Sequence, residues 1–162
     1  MNESLTHVRA DGSAHMVDVS AKPVTARSAS AAGRVLLSPR AVAALRGGDV
    51  PKGDALAVAR LAGIQAAKRT PELVPLAHPV AVHAVTVDLH VADDGVDISA
   101  TVRTADRTGI EMEALTCVSV GALALVDMVK AVDKHARITD IRVTAKSGGR
   151  SGDWVEDERD AP

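Results

Sequence analysis

Apolar and polar positions alternate most clearly in the middle of this chain. Val85, Val87, Leu89 and Val91 share one side, with Thr86, Asp88 and His90 on the other. After Asp93, Asp94 and Gly95 the alternation resumes, with Val96, Ile98, Ala100 and Val102 set against Asp97, Ser99, Thr101 and Arg103. A period of two on both sides of a turn predicts a β-hairpin with one solvated face. GRVLL (33–37) predicts a short strand and RITDIRVTAK (137–146) a last one.

Elsewhere the period is helical. Ser38-Pro39 supplies an N-cap and a first-turn proline, and Gly47-Gly48 stops that short helix. In residues 51–71 Asp54 is an N-cap and Pro71 a terminator. Between them Ala55, Ala59, Ala62, Gly63 and Ala66 form a small-residue face, with Leu56, Leu61 and Ile64 as bulk. The longest apolar run extends from Gly109 to Lys134. Thr108 and Glu111 have capping-box spacing, and a helix over 110–134 would be about 37 Å long. Leu115, Val118, Ala122, Leu125, Val129 and Val132 repeat at three and four and are assigned to the sheet side. Val120, Leu123 and Val126 lie away from it and are also apolar. A helix apolar nearly all round needs cover on all sides, which predicts a second subunit on its outer face.

Without the short first helix the order is β-α-β-β-α-β, the ferredoxin-like α/β (α+β) arrangement of one sheet on two helices. The boundaries expected are a polar N-terminal arm at 1–32, one domain at 33–152 and an acidic tail at 153–162. The length of 162 residues suits one domain.

Composition narrows the function classes. One Trp and no Phe or Tyr leave a core of aliphatic and small residues, and no aromatic platform for stacking bases. The net charge of −2 comes with no basic stripe for a nucleic-acid backbone or an anionic membrane. The polar N-terminus has no hydrophobic signal core, and no uninterrupted apolar stretch reaches the roughly 18 residues of a membrane span. A single cysteine, Cys117, forms no internal disulfide, consistent with a cytoplasmic protein. Neither nucleic acid nor membrane is expected as a partner.

Two charges interrupt the apolar run: Asp127 and Lys130, three residues apart. An i, i+3 ion pair is the plain structural account. The functional one is an acid/base pair with tuned pKa values. Glu111 and Glu113 sit in the first turn, where carboxylates suit the helix dipole. Glu113 precedes Asp127 by 14 residues, roughly 21 Å along a helix, so one small ligand reaches both only across two subunits. Lys52 lies beside a helix N-terminus that favours an anion. His78, in PLAHPV, sits on rigid extended backbone. KSGGRSG (146–152) offers Lys146, Arg150 and glycines to a phosphate but lacks the P-loop pattern. His83 and His90 have no metal-ligand spacing, so no metal is expected.

Five stretches, HMVDVSAKPVTARSA, PKGDALAVARLAGIQAAKRT, LVPLAHPV, TGIEMEALTCVSVGALALVDMVKAVDK and AKSGGRSGDW, together resemble the MoaC family, the cyclic pyranopterin monophosphate synthases of molybdenum cofactor biosynthesis. In order, they cover the chain from about His15 to Trp154. The resemblance implies a ferredoxin-like subunit in a homohexamer, a trimer of dimers with active sites at dimer interfaces. It implies conversion of 3′,8-cyclo-7,8-dihydroguanosine triphosphate to cyclic pyranopterin monophosphate with loss of pyrophosphate, and no cofactor. On the family pattern Asp127 and Lys130 are the acid/base residues and Lys52 serves the same chemistry. Leu76, Ala77 and His78 contact substrate, Met112 and Glu113 complete the site beside Glu111, and Lys146 and Arg150 are candidates for the phosphates. Arg27, in the arm, is a candidate to reach a neighbouring site. The family usually has Cys where this chain has Ala77, so a thiol nucleophile there is excluded. It often has Tyr at Val126, a packing difference. The competing reading is a non-catalytic paralogue that binds a nucleotide or a phosphorylated metabolite.

Overall fold

A computed structural model describes residues 8–157. The elements in chain order are β1 (Thr25–Leu36), α1 (Pro39–Gly47), α2 (Ala55–Ala67), α3 (Thr70–Leu73), β2 (Ala84–Val91), β3 (Gly95–Asp106), α4 (Glu111–Val129), β4 (Arg137–Ser147) and β5 (Trp154–Val155). The sheet order is β2-β3-β1-β4-β5, every neighbour antiparallel. The first four strands follow the predicted ferredoxin-like order. The added β5 pairs Trp154 and Val155 with Lys146 and Ala145, so the stretch expected as tail begins as an edge strand. Residues 158–162 of that tail and 1–7 of the arm lie outside the described residues.

The hairpin forms as its alternation dictates. Val87, Val96, Ile98, Ala100 and Val102 are buried, and Val85 pairs with Val102 across the strands. β1 starts at Thr25 rather than Gly33, so residues 25–32 belong to the sheet and not to an arm. Its inward positions there are Ala29, Ala31 and Gly33, too small to register as an apolar period. Their size has a use. A Cβ at Gly33 would stand 2.9 Å from side-chain carbons of both Val118 and Ile141, so only glycine lets α4 lie this close to β1.

Two helix starts match expectation. Ser38 Oγ accepts from Ala41 N at 3.3 Å, and Asp54 Oδ1 accepts from Ala57 N at 2.9 Å. α2 ends at Ala67, before Pro71, which instead sits in the first turn of the short α3. The capping box at Thr108 does not form. Ile110, 1% exposed, is drawn into the core and becomes the cap residue, with no side-chain cap bond. Glu111 turns instead toward Lys146, at 3.3 Å. The helix also stops at Val129, short of Lys134. Beyond it the buried carboxylate of Asp133 accepts from Ser38 N at 2.6 Å and from His135 N at 2.8 Å, which draws the chain toward the start of α1.

α4 packs on β1, β3 and β4 and is flanked by α2, which also covers β2. An 18-residue window of α4 has a mean hydropathy of 1.7, enough for a membrane span by length and composition, but 56% of that window is buried inside this fold. Val118, Ala122, Leu125 and Val129 are fully buried, whereas Leu115 is half-buried. On the outer side Leu123 is 60% exposed and Val120 and Val126 are half-buried, so one chain covers that face only in part. The α2–α4 seam is made of small residues. A Cβ at Gly63 would stand 2.8 Å from the Cys117 carbonyl oxygen, and one at Gly121 would stand 3.3 Å from that of Ala59.

Gly63→Ala sets better helix propensity, worth about 1 kcal/mol, against overpacking of about 1–3 kcal/mol. The contact is with backbone, which yields little, so we expect a net loss of stability. Gly121→Ala, with its looser contact, should cost less. Denaturant unfolding of the two variants checks the order.

Candidate active site

The last turn of α4 carries one charged cluster. Asp127 Oδ1 lies 2.6 Å from Lys130 Nζ on the same helix, and Oδ2 accepts from Lys52 Nζ at 2.7 Å. Lys52 stands in the turn before the Asp54 cap, where Gly53 takes φ 99°. Asp54 itself occupies the α2 N-terminus, so the anion seat expected there is filled by the chain's own carboxylate. The ammonium of Lys52 instead crosses to α4. Hydrogen bonds from Lys130 first, then Lys52, hold the Asp127 carboxyl down to about 2. All three side chains are exposed to solvent. At neutral pH the group is an ionised carboxylate between two ammoniums.

Two adjoining cavities lie at the other end of α4. A cavity of about 550 Å³ is walled by Leu76, Ala77, His78, Met112, Glu111 and Glu113, and also by Val17, Val19 and Lys22. His78 Nε2 bonds to the Val17 carbonyl at 2.5 Å. A carbonyl only accepts, so Nε2 carries the proton, and in the neutral ring Nδ1 holds the lone pair. Glu113 is 3% exposed, and among the described residues no cation stands within salt-bridge distance of it. Burial raises its carboxyl above the ordinary range, and the nearby Glu111 adds to this.

A second cavity of about 510 Å³ adjoins the first along Lys22, Thr108, Gly109 and Glu111. Lys146, Arg150, Arg27 and the Gly148 backbone line it. Glycines close it. Gly149 has φ 75°, a left-handed conformation that favours glycine, and a Cβ there would stand 2.2 Å from Arg27 Nη1 and displace the guanidinium. Four cations around one glycine-turned backbone suit a polyphosphate.

The structure therefore gathers the expected residues into two groups. Lys52, Asp127 and Lys130 stand at the end of α4. Leu76, Ala77, His78, Glu111, Met112, Glu113, Lys146 and Arg150 surround its start. Lys22 is an addition; it falls in the stretch expected as arm and belongs to no strand or helix, so no periodicity marks it. Cys117, the single thiol of the sequence, is buried, which pushes it up to about 12 and makes it inert as a nucleophile. Among the described residues no three His, Cys, Asp or Glu side chains form a metal-binding group.

The MoaC family pattern matches residues 16–149. Three curated relatives carry the name cyclic pyranopterin monophosphate synthase. That of Streptomyces coelicolor is 67% identical over 94% of this chain and 90% of its own. That of a Nocardioides species is 65% identical over 93% and 94%. That of a Roseiflexus species is 56% identical over 94% and 98%.

The buried Glu113 gives a pH-dependent stability test. Its folded pKa lies above its unfolded one, so burial costs nothing while the group is protonated in both states. It costs stability once pH has risen through the folded pKa. Glu113→Gln should raise the thermal midpoint at neutral pH, and the gain should vanish as pH falls below the ordinary carboxylate range. Melting curves across pH check this.

Proposed function

The chain belongs to the MoaC family, and we propose that it is a cyclic pyranopterin monophosphate synthase whose active site is shared between two copies. One copy contributes the cavities at the start of α4 and the other contributes Asp127, Lys130 and Lys52. The observation that carries this is the separation of the two groups by 14 helical residues, roughly 21 Å, on one rigid element. The exposed Leu123 and Leu61 on the outer helical faces are suited to cover by the second copy. The substrate is a small molecule, and the full assembly in this reading is a homohexamer, a trimer of dimers, in the cytoplasm. The non-catalytic alternative is not favoured by relatives named as synthases.

The residues divide the chemistry as follows. Leu76, Met112 and Val17 offer apolar surface to a flat heterocycle. His78 Nδ1 and Glu113 face its polar edge. Lys146, Arg150, Arg27 and Lys22 hold the triphosphate. The purine-derived ring opens and recloses as a pterin, which requires protons to leave and arrive at nitrogen and carbon. Asp127 and Lys130 take turns as base and acid in these transfers. A sugar hydroxyl then attacks the α-phosphorus, a new P–O bond forms, and the bond to pyrophosphate breaks. Lys52, Lys146 and Arg150 stabilise the charge that develops.

Purified protein given 3′,8-cyclised dihydro-GTP should release pyrophosphate and yield a product that oxidises to a fluorescent pterin. Asp127→Asn should lose about 10²–10⁴-fold in kcat without loss of assembly. No turnover by the wild type would sink the synthase reading. Sharing has its own test. Asp127→Asn and Glu113→Gln proteins, each inactive, are unfolded together and refolded. Mixed dimers carry one intact site of two, so about a quarter of wild-type activity should return. A mixture as inactive as its parts would mean that each site lies within one chain.

A further inference from the structure

The corner where β3 ends holds both cationic residues that the preceding chain brings to the second cavity. Arg27 Nε donates to the Asp106 carbonyl at 3.1 Å. Arg107 Nε donates to the Lys22 carbonyl at 3.0 Å. The Asp106 carboxylate pins the corner itself, accepting from Arg107 N at 2.7 Å and from Ala81 N at 3.4 Å. Arg27 has a strand to fix it; Lys22 has none. Lys22 lies in a turn closed by its own N–H on the Val19 carbonyl at 3.0 Å, three residues before β1.

In the segment leading to that turn burial alternates, with His15, Val17 and Val19 half-buried and Met16, Asp18 and Ser20 exposed. It forms one wall of the first cavity, and His78 holds it at Val17. Arg107 holds it at the other end. Between these two points Lys22 reaches the seam where the cavities meet.

We propose that Arg107 is a positioning residue for the anion-binding half of the site. By fixing the backbone at Lys22 it sets the ammonium at the seam and keeps the 15–22 wall closed. It acts through Lys22 and touches no ligand. The inference rests on the reading above in one respect: the anion concerned is the polyphosphate of a nucleotide-derived substrate. A lysine that grips phosphate equally in the ground state and the transition state changes KM and leaves kcat alone.

Arg107→Ala and Arg107→Lys test it in the full-length protein. Loss of one exposed hydrogen bond should raise KM for the cyclised dihydro-GTP about three- to tenfold with kcat unchanged. The affinity for inorganic triphosphate, measured by calorimetry, should fall by the same factor. Amide exchange across residues 15–22 should quicken while that of the strands stays slow. Arg107→Lys, which keeps a donor, should recover part of both losses. The inference is overturned if the wild type does not bind triphosphate. It is also overturned if Arg107→Ala binds it as the wild type does, or if kcat and melting temperature fall with KM unmoved. Wild-type protein that binds triphosphate without turnover would defeat the synthase reading alone, and triphosphate affinity would still decide the role of Arg107.

Discussion

A rigid helix cannot bring its own ends together, and α4 carries half of the expected chemistry at each end. Glu113 is in its first turn and Asp127 in its last. At one end are two adjoining cavities, one with an apolar wall and the other ringed by four cations, but no carboxylate bonded to two lysines. At the other is Asp127 between two ammoniums, all three side chains exposed to solvent. Each half lacks what the other has. Either the two ends serve different ligands or a second copy joins them, and the incompletely covered outer face of α4 makes the second the simpler arrangement.

Holding α4 in that position demands unusual closeness, and the residues that provide it are the smallest. The chain has almost no aromatic volume. It fills its core by moving elements together rather than by large side chains between them. Gly33 admits Val118 and Ile141 against β1, and Gly63 admits the backbone of α4 against α2. Such contacts gain dispersion from many atom pairs at short range, and they tolerate little added volume. Asp133 then ends the helix by tying the turn after Lys130 to the start of α1. The same few contacts therefore set the position of both ends of α4.

The sequence carried the hairpin, the caps at Ser38 and Asp54 and the βαββαβ order, because each depends on local period or local hydrogen bonding. It hid what depends on tertiary contact. The first eight residues of β1 have mainly Ala and Ser where a strand usually shows Val and Ile, so no apolar period marks them. The capping box was locally sound but lost to burial of Ile110 and to the pull of Lys146 on Glu111. The i, i+3 pair of Asp127 and Lys130 was legible, but the convergence of Lys52 on it from 75 residues away was not. Lys22 carries no local signal, since its place is set by a carbonyl bond to Arg107, 85 residues on.

The electrostatics of the two helix ends point the same way as their shapes. Asp127 has its carboxyl lowered to about 2, chiefly by Lys130 and then by Lys52. Glu113 has its carboxyl raised, chiefly by burial. Two carboxyls whose environments push their pKa values apart are suited to different tasks, one held ionised between cations, the other protonated more readily than an ordinary carboxyl. Glu111, the neighbour that would otherwise share this role, is engaged by Lys146 beside the phosphate cations. In one copy this division of acid and base serves no common ligand, because the helix holds the two groups apart. Under the proposed pairing they flank one heterocycle, the buried Glu113 on the enclosed side and Asp127 with its lysines on the other. A ring that must open and reclose exchanges protons at more than one atom, and two oppositely tuned carboxyls on opposite sides offer it groups of different proton affinity.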